Sequence, residues 1–369
     1  MREYIKYNKV RVKLMFLLAA LLLTACSDDF TDDSSEVAEG DVLQLVAFRQ
    51  TPKDVDGVAT RTTYPSNYSV YTGSERIGVY MTQCLPAAVP NKLGKFRYSN
   101  GQWITSQIAV SSGTQYYIYG YMPINENINT AIARISGKDF DEGAVITFSN
   151  LSLFSSDDLC VVTGVKGFTS MEDAEEGYVD TGAFGYLGQA KDHNFLCLLL
   201  DHLYAKAIFT ITVAKEYDEV RTIKLKTMTL KVGSYSSANV SVTLRPKSES
   251  NTEVVSTEWD LQGSGSEFPI FTSDATDDGT LSTAVKTLKN CFFISDPTLA
   301  EGYTLECEYD VYDKKGNLLQ SRTAENKLPS SLMQPGAGYQ KTIKLTVNPT
   351  YLYVLSDPDL DNPTIKVEQ

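Results

Sequence analysis

The sequence is short of the side chains that usually carry chemistry. It has two histidines, His193 and His202, and two tryptophans. No HExxH, GxSxG, P-loop or GxGxxG pattern appears, so metalloprotease, serine-hydrolase and nucleotide-binding functions find no support. Each histidine follows an aspartate, a pairing that can orient an imidazole. His193 falls in a polar turn, however, and His202 at the start of a strand, which favours structural roles. Cysteine is also sparse, and no CxxC occurs. Besides Cys26 there are Cys84, Cys160, Cys197, Cys291 and Cys307, an odd number. That pattern speaks against a zinc site and against a disulfide framework. Cys291 and Cys307 are a candidate pair if their strands are neighbours. The tail stretch "DPDLDN" lacks the glycine and the distal glutamate of a calcium loop. No enzymatic activity, metal or cofactor is therefore expected. Positive charge is in deficit too, with 33 Lys and Arg against 46 Asp and Glu, which argues against a nucleic-acid partner. No apolar run reaches the about 20 residues of a membrane-spanning helix. No segment sustains a 3.6-residue period over three turns.

What is present begins with a basic N-terminus and the apolar run "LMFLLAALLLTA", which together have the layout of a secretory signal over residues 1–25. The run ends in "LTAC", Leu23 to Cys26, which looks like a bacterial lipobox whose cysteine is acylated. Residues 26–40 are acidic and aperiodic, as a disordered tether would be. Residues 1–25 hold five Lys/Arg and one Asp/Glu, so the remaining 344 residues have a net charge of −17. Anionic membrane surfaces would repel such a chain, and attachment would fall to the lipid.

Beyond the tether the pattern is β almost throughout. "RIGVYMTQ" (76–83), "TQYYIYGYMP" (114–123), "AVITFSN" (144–150), "AKAIFTITVA" (205–214) and "YTLECEYDVYD" (303–313) are short runs of β-branched and aromatic residues between turn residues. Asn100-Gly101 is a strong hairpin signal, and "YDKKGNLL" reads as another. "TIKLKTMTLKV" alternates, so one face should be buried and the other wet. Helical turns are expected only near 170–180 and 282–290. The spacing of strands and turns predicts all-β sandwiches. We place one domain over 41–200, a second over 201–348 and an extension over 349–369. Trp103 and the stripe Tyr117, Tyr119 and Tyr121, which share a face by the period of two, form a candidate glycan-stacking platform, with core packing as the competing explanation.

Several stretches together resemble one family. "GSERIGVYM", "FRYSNGQW", "YYIYGYMP", "SSDDLCVVTG", "DHLYAKAIFTITV" and "QPGAGYQKTIKLTV" fall in the order of the landmarks of the Bacteroidales fimbrillin family, the type V pilins, and span most of the chain after residue 40. The acidic residues after Cys26 are similar to a surface-export signal of lipoproteins from the same bacteria. The resemblance implies two transthyretin-like β-sandwiches and export to the outer membrane as a lipoprotein. It also implies that a trypsin-like surface protease cuts after an arginine and releases the first strand. A strand of another pilin subunit, or of a second copy, then fills the groove. On this basis "DVLQLVAF" (41–48) is the removable strand, with Val42, Leu43, Leu45, Val46 and Phe48 as its apolar residues. Arg61, in "VDGVATRTT", is the cleavage site and Arg49 the alternative. The tail is either a donor strand, through Tyr351, Tyr353, Leu355, Ile365 and Val367, or a hairpin that completes its own domain. Stalk, tip and anchor roles stay open, as does an adhesive ligand such as a host or bacterial glycan or protein. The competing function is a surface glycan-binding lipoprotein that does not polymerise.

Overall fold

The computed structural model describes residues 41–54, 67–82, 93–105, 107–124, 128–176, 179–300, 302–351 and 358–368. Cys26, Arg61, Cys84, Tyr353 and Leu355 lie outside the described residues. Among those described, no helix is long and apolar enough to cross a membrane.

The first part of the chain runs β1 (Asp41–Val42), β2 (Gln44–Gln50), β3 (Lys53–Asp54), β4 (Tyr68–Val70), β5 (Ile77–Thr82), β6 (Leu93–Ser99), β7 (Gln102–Ile104), β8 (Ala109–Val110) and β9 (Gln115–Met122). It continues through β10 (Asn129–Arg134), β11 (Ala144–Ser152), β12 (Phe154–Ser155), β13 (Cys160–Phe168), a short helix α1 (Met171–Glu176), β14 (Gly185–Leu187) and β15 (Phe195–His202). The rest comprises β16 (Ala205–Val213), β17 (Thr222–Val232), β18 (Ser237–Leu244), β19 (Val255–Gln262), β20 (Ser266–Thr272), β21 (Thr280–Leu281), β22 (Lys286–Thr287), β23 (Cys291–Phe293), β24 (Tyr303–Tyr312), β25 (Leu318–Lys327), β26 (Tyr339–Tyr351) and β27 (Pro358–Glu368). The chain is all-β in character, as expected.

Local chemistry accounts for much of this. Asn100 and Gly101 both take positive φ, 51° and 82°, the pair of left-handed residues that a tight turn between β6 and β7 requires. In β17 the buried residues Ile223 and Leu225, and then Met228, Leu230 and Val232, alternate with lysine and threonine on either side of a register shift. One expected helical turn is absent: within 282–290, Lys286 and Thr287 instead pair with Ile211 and Thr210 of β16.

The largest sheet has the order β13-β15-β2-β7-β6-β5-β9-β14, with β4 beside β2. β13 also pairs with β9, through Cys160↔Met122 and Val161↔Tyr121. That contact closes strands 13, 15, 2, 7, 6, 5 and 9 into a ring. Leu43, Leu45, Phe96, Trp103, Ile118, Leu196, Leu198 and Leu200 form one core with it. A small second core lies on the other face, where α1 contributes Ala174 against Val46, Phe48, Cys197 and Leu199. The largest core joins three further sheets. These are β12-β23-β16-β26-β27, β20-β17-β24-β25 and β10-β11-β18-β19.

A border between residues 200 and 201 falls inside β15, and further strand pairs cross it. β11 pairs with β18, β12 with β23 and β3 with β26. The two halves are therefore stitched by shared sheets, which no local pattern in the sequence encodes. The candidate disulfide is also absent. Cys291 and Cys307 are buried free thiols, and burial pushes each up to about 12.

Candidate functional site

The candidate site is the first strand and the slot that holds it. β2 lies between β15, to which it is parallel, and β7 and β4, to which it is antiparallel. It is an interior stave of the ring and not an edge. Parallel strands covered on both faces read as unbroken apolar runs, and here both partners do: "LVAF" in β2 and "FLCLLL" in β15. Leu43, Leu45 and Ala47 face one core, with 0%, 1% and 0% exposure, and Val46 and Phe48 face the other. Val42 departs from the expected pattern. It sits in β1 beside Ala109 and is exposed. Backbone hydrogen bonds run the length of the segment. Tyr71 N–H donates to the Ala47 carbonyl at 2.8 Å, Gln44 N–H to that of Asn194 at 3.0 Å, and Lys53 N–H to that of Gly338 at 2.9 Å. The Asp41 carboxylate accepts from the Asp192 backbone N–H and the Asn194 side chain, each at 2.7 Å.

A charged cluster pins the far end of the strand. His202 donates through Nε2 to the Gln50 carbonyl at 2.6 Å and lies with Nδ1 2.7 Å from Asp158 Oδ2. Arg49 approaches the same carboxylate oxygen at 3.9 Å and stacks over the Tyr71 ring at 4.5 Å. Asp158 is buried, and its Oδ1 has no hydrogen-bond partner. Next to it Asp201 accepts from the Tyr68 hydroxyl at 2.5 Å. Burial is the main cause that lifts the Asp201 carboxyl above the ordinary range, against the pull of Tyr68 and of Lys53 in β3. The sequence places an aspartate before each histidine, and the partner that His202 takes is not its sequence neighbour Asp201. Neighbours in a strand point to opposite faces, so Asp201 turns to Tyr68 and Asp158 meets the imidazole. Asp158 carried no local signal.

Asp158, Cys160 and His202 hold their ligand atoms within 4.8 Å of one another, so metal ligation needs weighing. The 2.7 Å contact is a hydrogen-bond length, whereas a nitrogen and an oxygen on tetrahedral zinc lie about 3.3 Å apart given bonds near 2.0–2.2 Å. The Arg49 cation beside Asp158 opposes a metal ion, and burial raises the Cys160 thiol well above its usual value. The cluster is an ionic clasp.

The other sequence candidates fall elsewhere. The glycan platform is overturned. Trp103 is 1% exposed and packs in the ring core, where its indole N–H donates to the Tyr71 carbonyl at 3.1 Å. Tyr119 and Tyr121 are buried in the opposite core, their hydroxyls on the Phe140 carbonyl and Thr130, and Tyr117 is half-buried against that core. Apolar contact and satisfied hydroxyls explain the stripe without a ligand. Arg49, the alternative cleavage site, is held within the sheet opposite Leu200 and Ser69. In the tail, β27 pairs antiparallel with β26, from Lys344↔Glu368 to Tyr351↔Pro358. Ile365 is buried in the main core, Val367 packs on it, and the Tyr309 hydroxyl donates to the Pro363 carbonyl at 3.1 Å. The tail thus lies as a hairpin in its own sheet.

No family model matches the chain, and no curated protein matches it significantly. Solved structures that match include putative cell adhesion proteins and fimbrial proteins of Bacteroides species. A fimbrial protein from Bacteroides vulgatus is 13% identical, with 89% of this chain and 98% of the other covered and a TM-score of 0.40. The fimbrial anchor protein Mfa2 from Porphyromonas gingivalis is 12% identical, with 88% and 97% covered and a TM-score of 0.30. At such scores the likeness is coarse, and the functional case rests on the chain's own strand arrangement.

Proposed function

We propose that the protein is a structural or adhesive subunit of a cell-surface fimbria, exported as a lipoprotein through Cys26 and cut after Arg61 by a trypsin-like surface protease. The cut frees the segment that carries β1, β2 and β3, and a strand from another subunit takes the place of β2. One observation carries this proposal. The strand ahead of Arg61 is an interior stave, covered on both faces, whose departure opens the ring between β15 and β7. An opened ring has two unpaired edges lined with apolar side chains, a combination that favours strand addition.

The test is the mature N-terminus of the protein taken from its native cell surface, read by mass spectrometry. A start at Thr62 is expected. A start at acylated Cys26 with no shorter form would overturn the proposal.

A further inference from the structure

Removing residues up to Arg61 takes two cations out of the clasp region, Arg49 and Lys53. It leaves the carboxyls of Asp158 and Asp201 at that end of the slot with His202. Asp158 is the more exposed to this loss. It is buried, one of its oxygens already lacks a partner, and the guanidinium that approached the other is gone. His202 also loses the Gln50 carbonyl that accepted its Nε2 proton. A buried carboxylate left with His202 as its one neighbouring partner is under-compensated, so an incoming strand that restores a cation there gains over one that does not.

We propose, on the strand-release mechanism above, that the slot selects a strand with apolar residues at the places of Leu45 and Ala47 and an arginine or lysine at the place of Arg49. These three positions alternate along one face. The partner is accordingly a different protein and not the 358–368 strand of a second copy. That strand has a single basic residue, Lys366, which lies between Ile365 and Val367 and so points away from its apolar face. Two and four positions before Lys366 the sequence has Thr364 and Asn362, both polar. No register of β27 sets two apolar residues and then a cation on one face.

The test uses the full chain with a site-specific protease sequence placed over residues 57–61. The chain is cut, and the N-terminal piece is removed under mild denaturant. Labelled peptides are then titrated and followed by fluorescence anisotropy. The peptide DVLQLVAFRQ is expected to bind. Its Arg49→Ala form should bind more weakly by about fivefold or more, the loss expected for a partly exposed charge contact at 3.9 Å, and its Arg49→Glu form more weakly still. The peptide PDLDNPTIKVEQ should not compete. On an Asp158→Asn acceptor the gap between the native and Arg49→Ala peptides should narrow to what the stacking of Arg49 on Tyr71 leaves. If DVLQLVAFRQ itself fails to bind, strand release is wrong and the fimbrial mechanism falls with it. If it binds but the Arg49→Glu peptide binds within about twofold of it, charge selection is wrong while strand release stands. If PDLDNPTIKVEQ binds as well as the native peptide, the partner is a second copy after all. Should the Asp158→Asn chain not fold, the peptide series on the unaltered acceptor decides alone.

Discussion

At the scale of single residues, burial decides what the aromatic side chains do. Trp103 and Tyr119 look like ligand-stacking residues in a sequence because tyrosine and tryptophan serve both binding faces and cores. Their surroundings remove the ambiguity. Trp103 stacks near Tyr71, with ring centroids 5.7 Å apart, and lies 5.4 Å from the Tyr98 ring. Tyr119 sits 4.8 Å from Phe184. Truncating such a residue leaves a large void that the sheet cannot fill. Trp103→Ala should therefore cost about 3–5 kcal/mol, seen as a lower urea midpoint at unchanged slope. A stability loss below about 1 kcal/mol would contradict full burial.

At the scale of elements, the strands that could be read from the sequence are those whose evidence is local. β5, β9, β17 and β24 show either β-rich runs or clean alternation, and the β6–β7 turn is written in two adjacent residues. Pairing partners are not local, which is why β2 could be recognised as a strand without its neighbours. Its place beside β15, more than 140 residues later, follows from two apolar runs finding each other during folding. The same cause moved Lys286 and Thr287 from an expected helical turn into β22, because β16 offered them hydrogen bonds. The position of β2 also sets the energy of its release. Leu43, Leu45, Val46 and Phe48 are buried, and at about 1.5–3 kcal/mol each they represent roughly 6–12 kcal/mol of lost burial, an upper bound since the opened slot relaxes. The effect should be concentrated on the strands that β2 touches. After cleavage and removal of the N-terminal piece, backbone amides of Phe195–Leu200 should exchange with solvent orders of magnitude faster, with a smaller loss of protection in β17 and β24. Uniform protection across β15 before and after removal would mean that the slot closes by itself.

At the scale of the whole molecule, the two halves are less separable than the sequence suggests. Turn-rich connections and the apolar run near residue 200 mark a border, and a border of that kind normally implies domains that fold alone. The shared sheets argue otherwise. β11 gives Ala144, Ile146 and Phe148 to the main core while pairing with β18 across the border, and β12 pairs with β23 through Phe154↔Phe293. A fragment of residues 41–202 would carry β11 without β18, exposing an apolar sheet edge. A fragment of residues 203–369 would lack one side of its largest core. Each fragment expressed alone should be aggregated or should lack a cooperative unfolding transition. The two expressed together should recover soluble protein, because the missing sheet pairs are intermolecular contacts that either half can supply to the other. A cooperative, soluble 203–369 fragment would show that the second half holds its own core. β3 then becomes informative, since it lies in the released segment yet pairs with β26 of the second half. If the halves are one cooperative unit, strand release in the ring is felt in the far sheet as well, and the cut protein should melt at a lower temperature in a single transition.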